Sequence, residues 1–395
     1  MHQQLKHSIL PQTNHNELAR QEFVQTLFSY IGQKINSQLY EVYEQQIEPE
    51  FQQENQRPPQ NRFEVRQALQ DNSSYIWWSA LRRTSQEILW ESVESSIERQ
   101  LEKLIAKFTE ICQKPNSQKL GSLTLDPNFI IPKYQTVVDI HCMPGGYHTD
   151  LISNDITAGA LYDRGVYIYS QGRLGSLNDG LGQALVHNYL KVNYPEWQPQ
   201  RILDLGCTVG NSTIPYVDAY SEAEVYAIDI GAALLRYAHA RAEFLEKRVY
   251  FSQQNAEYTN FSDGSFDLIF SHFFLHEIPV FAIRKVFQEC YRLLAPGGIM
   301  AHLDAPLYKD MTAIQSFISD WDTANNNEPF WSAMRDLDLT TTAIQAGFST
   351  NQVIPTFAPV FEAKSTPSAQ NQPIDKRLGK HFGNRGNWYI FAARK

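Results

Sequence analysis

The chain has 395 residues, of which 43% are hydrophobic, 12% aromatic and 19% charged, enough for two domains or for one domain with a large cap. That composition excludes a disordered chain, and no apolar run is long enough to span a bilayer. The 34 Lys+Arg against 43 Asp+Glu give a net charge of -9 with no basic patch, which argues against nucleic acid and anionic membranes as partners. Cys112, Cys142, Cys207 and Cys290 form no C-x-x-C pair, so neither a disulfide framework nor a zinc ribbon is expected. The opening MHQQLKHSILPQTN lacks the apolar core of a secretory signal, and a cytoplasmic setting is expected.

Of the 32 glutamines, 17 fall within the first 100 residues, which marks the N-terminal part as a separate unit. There, Phe23, Leu27, Ile31, Ile35, Leu39 and Val42 recur every three or four residues and predict an amphipathic helix from about Asn16 to Phe51, broken by 52–61 with Pro58-Pro59. Leu89, Val93, Ile97, Leu101, Leu104, Phe108 and Ile111 predict another long helix ending before Lys114-Pro115. Such faces serve core packing, a homodimer interface or the wall of a pocket. From Gly121 to Asp150 the pattern is that of a linking segment with one strand at Thr136–Ile140. His141, Cys142, His148 and Asp150 carry ligating side chains but not a familiar zinc spacing, and no metal site is expected. The expected division is 1–150 for the helical N-terminal domain with its link, and 151–395 for a second domain.

A helical pattern from about Asn178 to Val192 opens that second domain. Short apolar runs at Arg201–Leu205, Val225–Ile230, Val249–Ser252, Phe266–Ser271 and Ile299–Leu303 then alternate with helical stretches at Ser212–Tyr220, Ala232–Glu246 and Val280–Leu294. Alternation of this kind predicts an α/β fold with a doubly wound parallel sheet. The segment Arg-Ile-Leu-Asp-Leu-Gly-Cys-Thr-Val-Gly-Asn-Ser at 201–212 runs a strand through two glycines into a helix start, where the backbone can approach a ligand. Asp229, nineteen residues past Gly210 and at the end of the next strand, is placed to bond ribose hydroxyls. A P-loop is excluded because no G-K-[ST] follows. A nicotinamide-dependent oxidoreductase stays open, although the spacing is D-x-G-x-x-x-G.

Leu-Asp-Leu-Gly-Cys-Thr-Val-Gly resembles the first motif, E/D-x-G-x-G-x-G, of the class I S-adenosylmethionine-dependent methyltransferases. Ala227-Ile228-Asp229, Gln254-Asn255-Ala256-Glu257, the stretch Ser-Phe-Asp-Leu-Ile-Phe-Ser-His-Phe-Phe-Leu-His-Glu-Ile at 265–278 and Arg-Leu-Leu-Ala-Pro-Gly-Gly at 292–298 are similar to later motifs, in family order. The resemblance covers about Asn178 to Lys395 and is nearest to the type 11 and quinone-methyltransferase-like members. It implies a seven-stranded, mostly parallel sheet that includes strands at Val353–Phe357 and Trp388–Ala393, beside the helical N-terminal domain. It also implies S-adenosyl-L-methionine as cofactor, with Asp204, Gly206 and Gly210 at its methionine part, Asp229 at the ribose, Asn255 and Ala256 at the adenine, Ser271 and His272 near the sulfonium, and Ile230 as a further cofactor contact. Thr208 stands where the family usually has its middle glycine, and Asn255 where aspartate is commoner.

Methyl transfer is an in-line displacement in which positioning supplies much of the rate. His276 and Glu277, just past the fourth strand of the resemblance, are candidates to meet the acceptor, the imidazole because it titrates near neutrality; capping of the helix that follows is the other reading of His276. Segments at about 155–175 and 305–335 are placed as lids. The first offers Tyr162, Tyr167, Tyr169 and Arg173, with Tyr169 as a catalytic candidate; the second offers Trp321, Phe330 and Trp331 among three asparagines. The resemblance implies a small-molecule acceptor such as a quinone, isoprenoid, polyketide or other specialised metabolite. A non-catalytic cofactor-binding scaffold is the remaining alternative.

Overall fold

The structure, a computed structural model, describes residues 3–115, 118–361 and 386–395. Its strands are β1 Ser122–Thr124, β2 Arg201–Leu205, β3 Glu224–Asp229, β4 Tyr250–Gln253, β5 Phe266–His272, β6 Leu294–Asp304, β7 Val353–Pro359 and β8 Asn387–Arg394. They form one sheet in the order β1-β4-β3-β2-β5-β6-β8-β7, in which only β8 runs antiparallel to its neighbours. Four of the five residues of β2 are buried, as a continuous apolar strand covered on both faces requires. The order reverses between β2 and β5, so the chain leaves a crevice at their carboxyl ends.

The sheet has eight strands rather than the seven the resemblance implies, because β1 pairs in parallel with β4, Ser122 facing Tyr250 and Thr124 facing Ser252. The link thus contributes a strand, but not at Thr136–Ile140. That stretch holds a helical turn, Lys133–Thr136, started at Pro132, and a 3-10 turn, Ile140–Cys142. Val137 is exposed, and His141 and Cys142 take positive φ of 58° and 57°, a conformation that no extended strand contains.

One face of the sheet packs Leu185 and Tyr189, just past Gly180–Gln183, and Leu235 and Ala238 of the helix Ala232–Phe244. The other packs Ile283, Val286 and Phe287 of the helix Val280–Leu293 and Ala343 of Leu339–Ala346. Burying these stripes is the main stabilising term.

The N-terminal part is helical. A rod is assembled from α-helical pieces His15–Tyr30, Asn36–Val42 and Glu48–Asn55 joined by π turns at Ile31–Ile35 and Tyr43–Ile47. Its buried stripe is Val24, Phe28, Ile31, Ile35, Leu39, Tyr43 and Ile47, whereas Phe23 is 63% exposed. Steps of four residues drift by about 40° each around a 3.6-residue helix; the wider i→i+5 turns absorb that drift and keep Ile31 to Ile47 on one face. Phe23 lies upstream of both π turns, in the regular helix His15–Tyr30, where eight residues back from Ile31 overshoots two turns by about 80° and Val24 takes the inward position. The second predicted helix is two, Ser73–Glu98 and Leu101–Gln113. At the break, Arg99 donates to Glu17 and to the Gln12 carbonyl, and Gln100 exchanges bonds with Gln12, so both side chains hold the N-terminal segment instead of continuing the helix.

From Ile31 to Ile47 the rod's stripe packs inside the chain against Phe317, Ile318 and Trp321 of the helix Ala313–Asn325. Arg82 pairs with Asp322 at 2.7 Å, Arg66 with Asp320, and the Trp321 indole donates to Ser79, so rod, Ser73–Glu98 and the 313–336 region form one cap. No helix among the described residues is long and apolar enough to cross a membrane.

Asp163, on the helix Thr157–Tyr169, ties the N-terminus to this body. It is buried and receives His7 at 3.0 Å, Tyr237 at 3.0 Å and Asn178 at 3.1 Å, with Arg241 at 3.8 Å. Burial alone would raise its pKa, but bonding to His7 and the charge of Arg241 hold it at about 2. A carboxylate depressed in the folded state contributes stability above its unfolded pKa and loses it as pH falls through the folded value. Asp163→Asn is therefore expected to lower stability by about 3 kcal/mol at neutral pH, read from urea unfolding. The gap between wild type and variant should narrow as pH falls from about 4 towards 2.

Candidate functional site

A cavity of about 600 Å³ opens at the carboxyl ends of the strands around the switch point. The sheet contributes Asp204 and Gly206 from the β2 turn, Asp229 and Ile230 after β3, Asn255 and Ala256 after β4, and His272, His276 and Glu277 from the end of β5 onward. Tyr169 reaches it from the other side. Two expected residues stand back. Ser271 is fully buried with its hydroxyl 2.7 Å from His302 Nδ1, because alternation along β5 turns it away from the side His272 faces. Gly210, at φ 72°, shapes the turn without lining the cavity; a Cβ there would lie 3.4 Å from the Phe251 ring.

The β2 turn depends on its left-handed residues. Gly206 has φ 70°, and a Cβ on it would come within 2.4 Å of the Phe274 ring. Thr208 adopts φ 47°, so threonine keeps the conformation that glycine would provide, at a steric cost. Asp229 holds it there, accepting the Thr208 N–H at 2.9 Å on one carboxylate oxygen and the Gly231 N–H at 2.9 Å on the other. Burial pushes Asp229 up to about 6 against the pull of those N–H groups. Burial likewise pushes Asp204 to about 7, opposed by the Thr213 hydroxyl at 2.6 Å.

These groups fit the cofactor that the resemblance implies. Asn211 lines the cavity with a buried Oδ1 that has no hydrogen-bond partner, and the Asp204 carboxyl lines it too. Together they form an acceptor set for an ammonium group. His272 is kept neutral by burial, its pKa held at about 3, and has a buried Nδ1 without a partner. Ile230 and Ala256 present apolar surface for a base. Asn255 lines the cavity, but its Oδ1 takes the Glu257 N–H at 2.9 Å, closing its own turn instead of facing outward.

Beyond β5 lies a buried ionic cluster. His276 does not cap the following helix, whose N-cap is Pro279. Its Nδ1 lies 2.7 Å from Asp304 and its ring stacks on Trp331 with centroids 4.1 Å apart. Burial would lower its pKa, but Asp304 and Glu277 outweigh that and push it to about 10. That lies above the near-neutral range the sequence suggests. Glu277 Oε1 accepts from His141 at 2.9 Å and Tyr147 at 3.0 Å; burial opposes its charge, and the nearby imidazoles hold its carboxyl well below the usual range. The other nitrogen of His141 faces Glu328 at 3.1 Å. Tyr147, Asp304 and Glu328 were not singled out as site residues in the sequence. The polar composition of 320–331 signals a pocket, but nothing in it pairs Glu328 with residue 141.

Both expected lids reach the site. Tyr162, Tyr169 and Arg173 line the cavity and Tyr167 does not; Trp331 and Arg335 line it from the second segment. The asparagines there act as ties: Asn326 takes Arg82 at 2.5 Å and Asn327 donates to the Asp139 carbonyl at 2.7 Å. The rod supplies a roof of Phe28, Ile31, Gly32 and Tyr40, and Ser73–Glu98 adds Arg82 and Trp90. His141, Cys142, His148 and Asp150 do not converge, since Asp150 pairs with Arg236 and Cys142 points at the Asn326 carbonyl.

Residues 202–298 match the family described as a methyltransferase domain. Relatives include the tRNA N(3)-methylcytidine methyltransferase of Drosophila melanogaster, 32% identical over 28% of this chain and 36% of its own length. Another is the demethylmenaquinone methyltransferase of Thermus thermophilus, 32% identical over 28% of this chain and 50% of its own. The phosphoethanolamine N-methyltransferase 2 of Haemonchus contortus, solved with S-adenosyl-L-methionine, is 21% identical, with a TM-score of 0.41 over 59% of this chain and 57% of that one. The chain thus spans half or less of the length of the first two relatives. Residues 202–298, from β2 into β6, thus match a methyltransferase domain, and they carry the glycine turn and the parallel strands at its core.

Proposed function

We propose that the chain transfers a methyl group from S-adenosylmethionine to a small molecule held between the carboxyl edge of the sheet and the helical cap. The observation that carries this reading is the roof. Phe28, Ile31 and Tyr40 of the rod close over the same cavity that Asp204 and Asp229 line from below. A concave, aromatic-walled cavity with a few polar groups suits a compact, partly apolar acceptor. An acceptor of the quinone, isoprenoid or polyketide kind meets that description.

The cofactor supplies an electrophilic methyl on a sulfonium centre. In this reading Asp204, Asn211 and the backbone at Gly206 receive its methionine part, Asp229 its ribose hydroxyls, and Ile230 and Ala256 its base. Gly210 acts by shaping the turn. Tyr169, His276 and Glu277 hold the acceptor, and their fixed hydrogen bonds orient it without supplying a free base. Holding two reactants aligned can contribute about 7 to 11 kcal/mol at the upper end, so positioning is the main catalytic effect.

Calorimetric titration with S-adenosylhomocysteine is expected to give one site per chain. Asp229→Asn should weaken it about 10- to 100-fold through loss of charge-assisted bonds. Because burial raises Asp229 to about 6, wild-type affinity should fall as pH drops through that value and the carboxylate gains a proton. Unchanged affinity in the variant removes the ribose role.

Incubation with labelled methyl donor and a cell extract split into low-mass, RNA and protein fractions tests the acceptor class. Label is expected in the low-mass fraction; label in RNA alone defeats the small-molecule reading. Gly32 lines the cavity and a Cβ on it meets nothing within 4 Å, so Gly32→Trp should block the acceptor compartment. Low-mass labelling should fall at least about tenfold, a loss of roughly 1.4 kcal/mol in transition-state stabilisation, with S-adenosylhomocysteine affinity unchanged.

A further inference from the structure

We propose that His141, His276 and Glu277 form a binding site for a divalent transition-metal ion that opens into the acceptor side of the cavity. One ligand atom from each of the three lies within 4.8 Å of the others. Glu277 Oε1 is 2.9 Å from His141 Nε2 and 3.6 Å from His276 Nε2. Three ligands around a tetrahedral ion, each about 2.1 Å from it, lie roughly 3.4 Å apart, so small shifts bring the set onto a metal. Two imidazoles and one carboxylate with remaining positions free is a donor set used by zinc and non-haem iron.

Independent features support the ligand assignment. Each imidazole has its second nitrogen on a carboxylate: His276 Nδ1 on Asp304 at 2.7 Å and His141 Nδ1 on Glu328 at 3.1 Å. That outer arrangement fixes the ring and leaves Nε2 for the ion. The side chain of Glu328 is fully buried with its second oxygen 3.8 Å from His276 Nε2, and that oxygen and Glu277 Oε2 are not satisfied by a hydrogen bond. Buried carboxylates left this way are costly unless a cation compensates them. His141 and Cys142 are held at positive φ, backbone strain of the kind kept where a side chain must be aimed. The three ligands line the cavity, so an open coordination position would face an oxygen or nitrogen of a bound acceptor.

The site rests on ligand geometry and is tested separately from methyl transfer. Full-length protein freed of metal by chelator dialysis is titrated with Co²⁺ and followed by visible ligand-field absorption, with S-adenosylhomocysteine calorimetry run in parallel. One Co²⁺ per chain is expected, displaced by Zn²⁺. Asp304→Asn should weaken it about 10- to 100-fold, and His141→Gln should abolish the bands. Absence of Co²⁺ bands in folded wild-type protein overturns the proposal, as does equal binding by folded His141→Gln. If the variants do not fold, X-ray absorption on wild type decides: a shell of two imidazoles and a carboxylate supports the site, and any other shell overturns it. Failure of S-adenosylhomocysteine to bind would instead count against the cofactor reading alone.

Discussion

Four segments far apart in the chain meet through one chain of buried charges. Asp304 ends β6, His276 and Glu277 follow β5, His141 sits in the link and Glu328 in the cap, and each touches the next across 2.7 to 3.6 Å. Ionic groups out of water are stable only when each is compensated by another, so sheet, link and cap cannot adopt independent positions without leaving a charge bare. The cavity is defined by that requirement, with its floor on the strands and its roof on the rod. The Arg82–Asp322 pair and the Trp321 bond to Ser79 extend the same logic within the cap, joining the helix Ala313–Asn325 to the helix that carries Trp90.

The turn at Thr208 obeys a second constraint. A β-branched residue at positive φ is unfavourable in isolation, and Asp229 compensates by bonding its N–H and that of Gly231. The carboxylate expected to recognise ribose also holds the turn in place, so ligand recognition and backbone conformation depend on the same atoms.

Much of the α/β part was legible because its signals are local. The strand runs from Arg201 to Leu303 and the glycines at 206 and 210 each report a conformation within a few residues, and the observed strands agree with them closely. The parallel, doubly wound character of the sheet follows from that alternation. What was not legible is non-local or depends on a changed helical period. β1 is three residues long and is a strand only because β4 offers it an edge. His276 was read as a neutral-range imidazole because Asp304 and Glu328 are remote in sequence. Val24 rather than Phe23 shares the face of Ile31 because seven residues nearly close two α turns and eight overshoot them, and the Arg99–Gln100 break serves contacts to Gln12 and Glu17 more than 80 residues away.

The first π turn, Ile31–Ile35, carries Ile31 and Gly32, which both line the cavity. Such a turn is a helix holding one residue more than its regular period needs. Removing that residue would return the rod to plain α geometry while leaving the stripes on either side in phase. The cavity wall at Ile31 and Gly32 is therefore a place where the chain can be lengthened or shortened by a residue without rotating the cap.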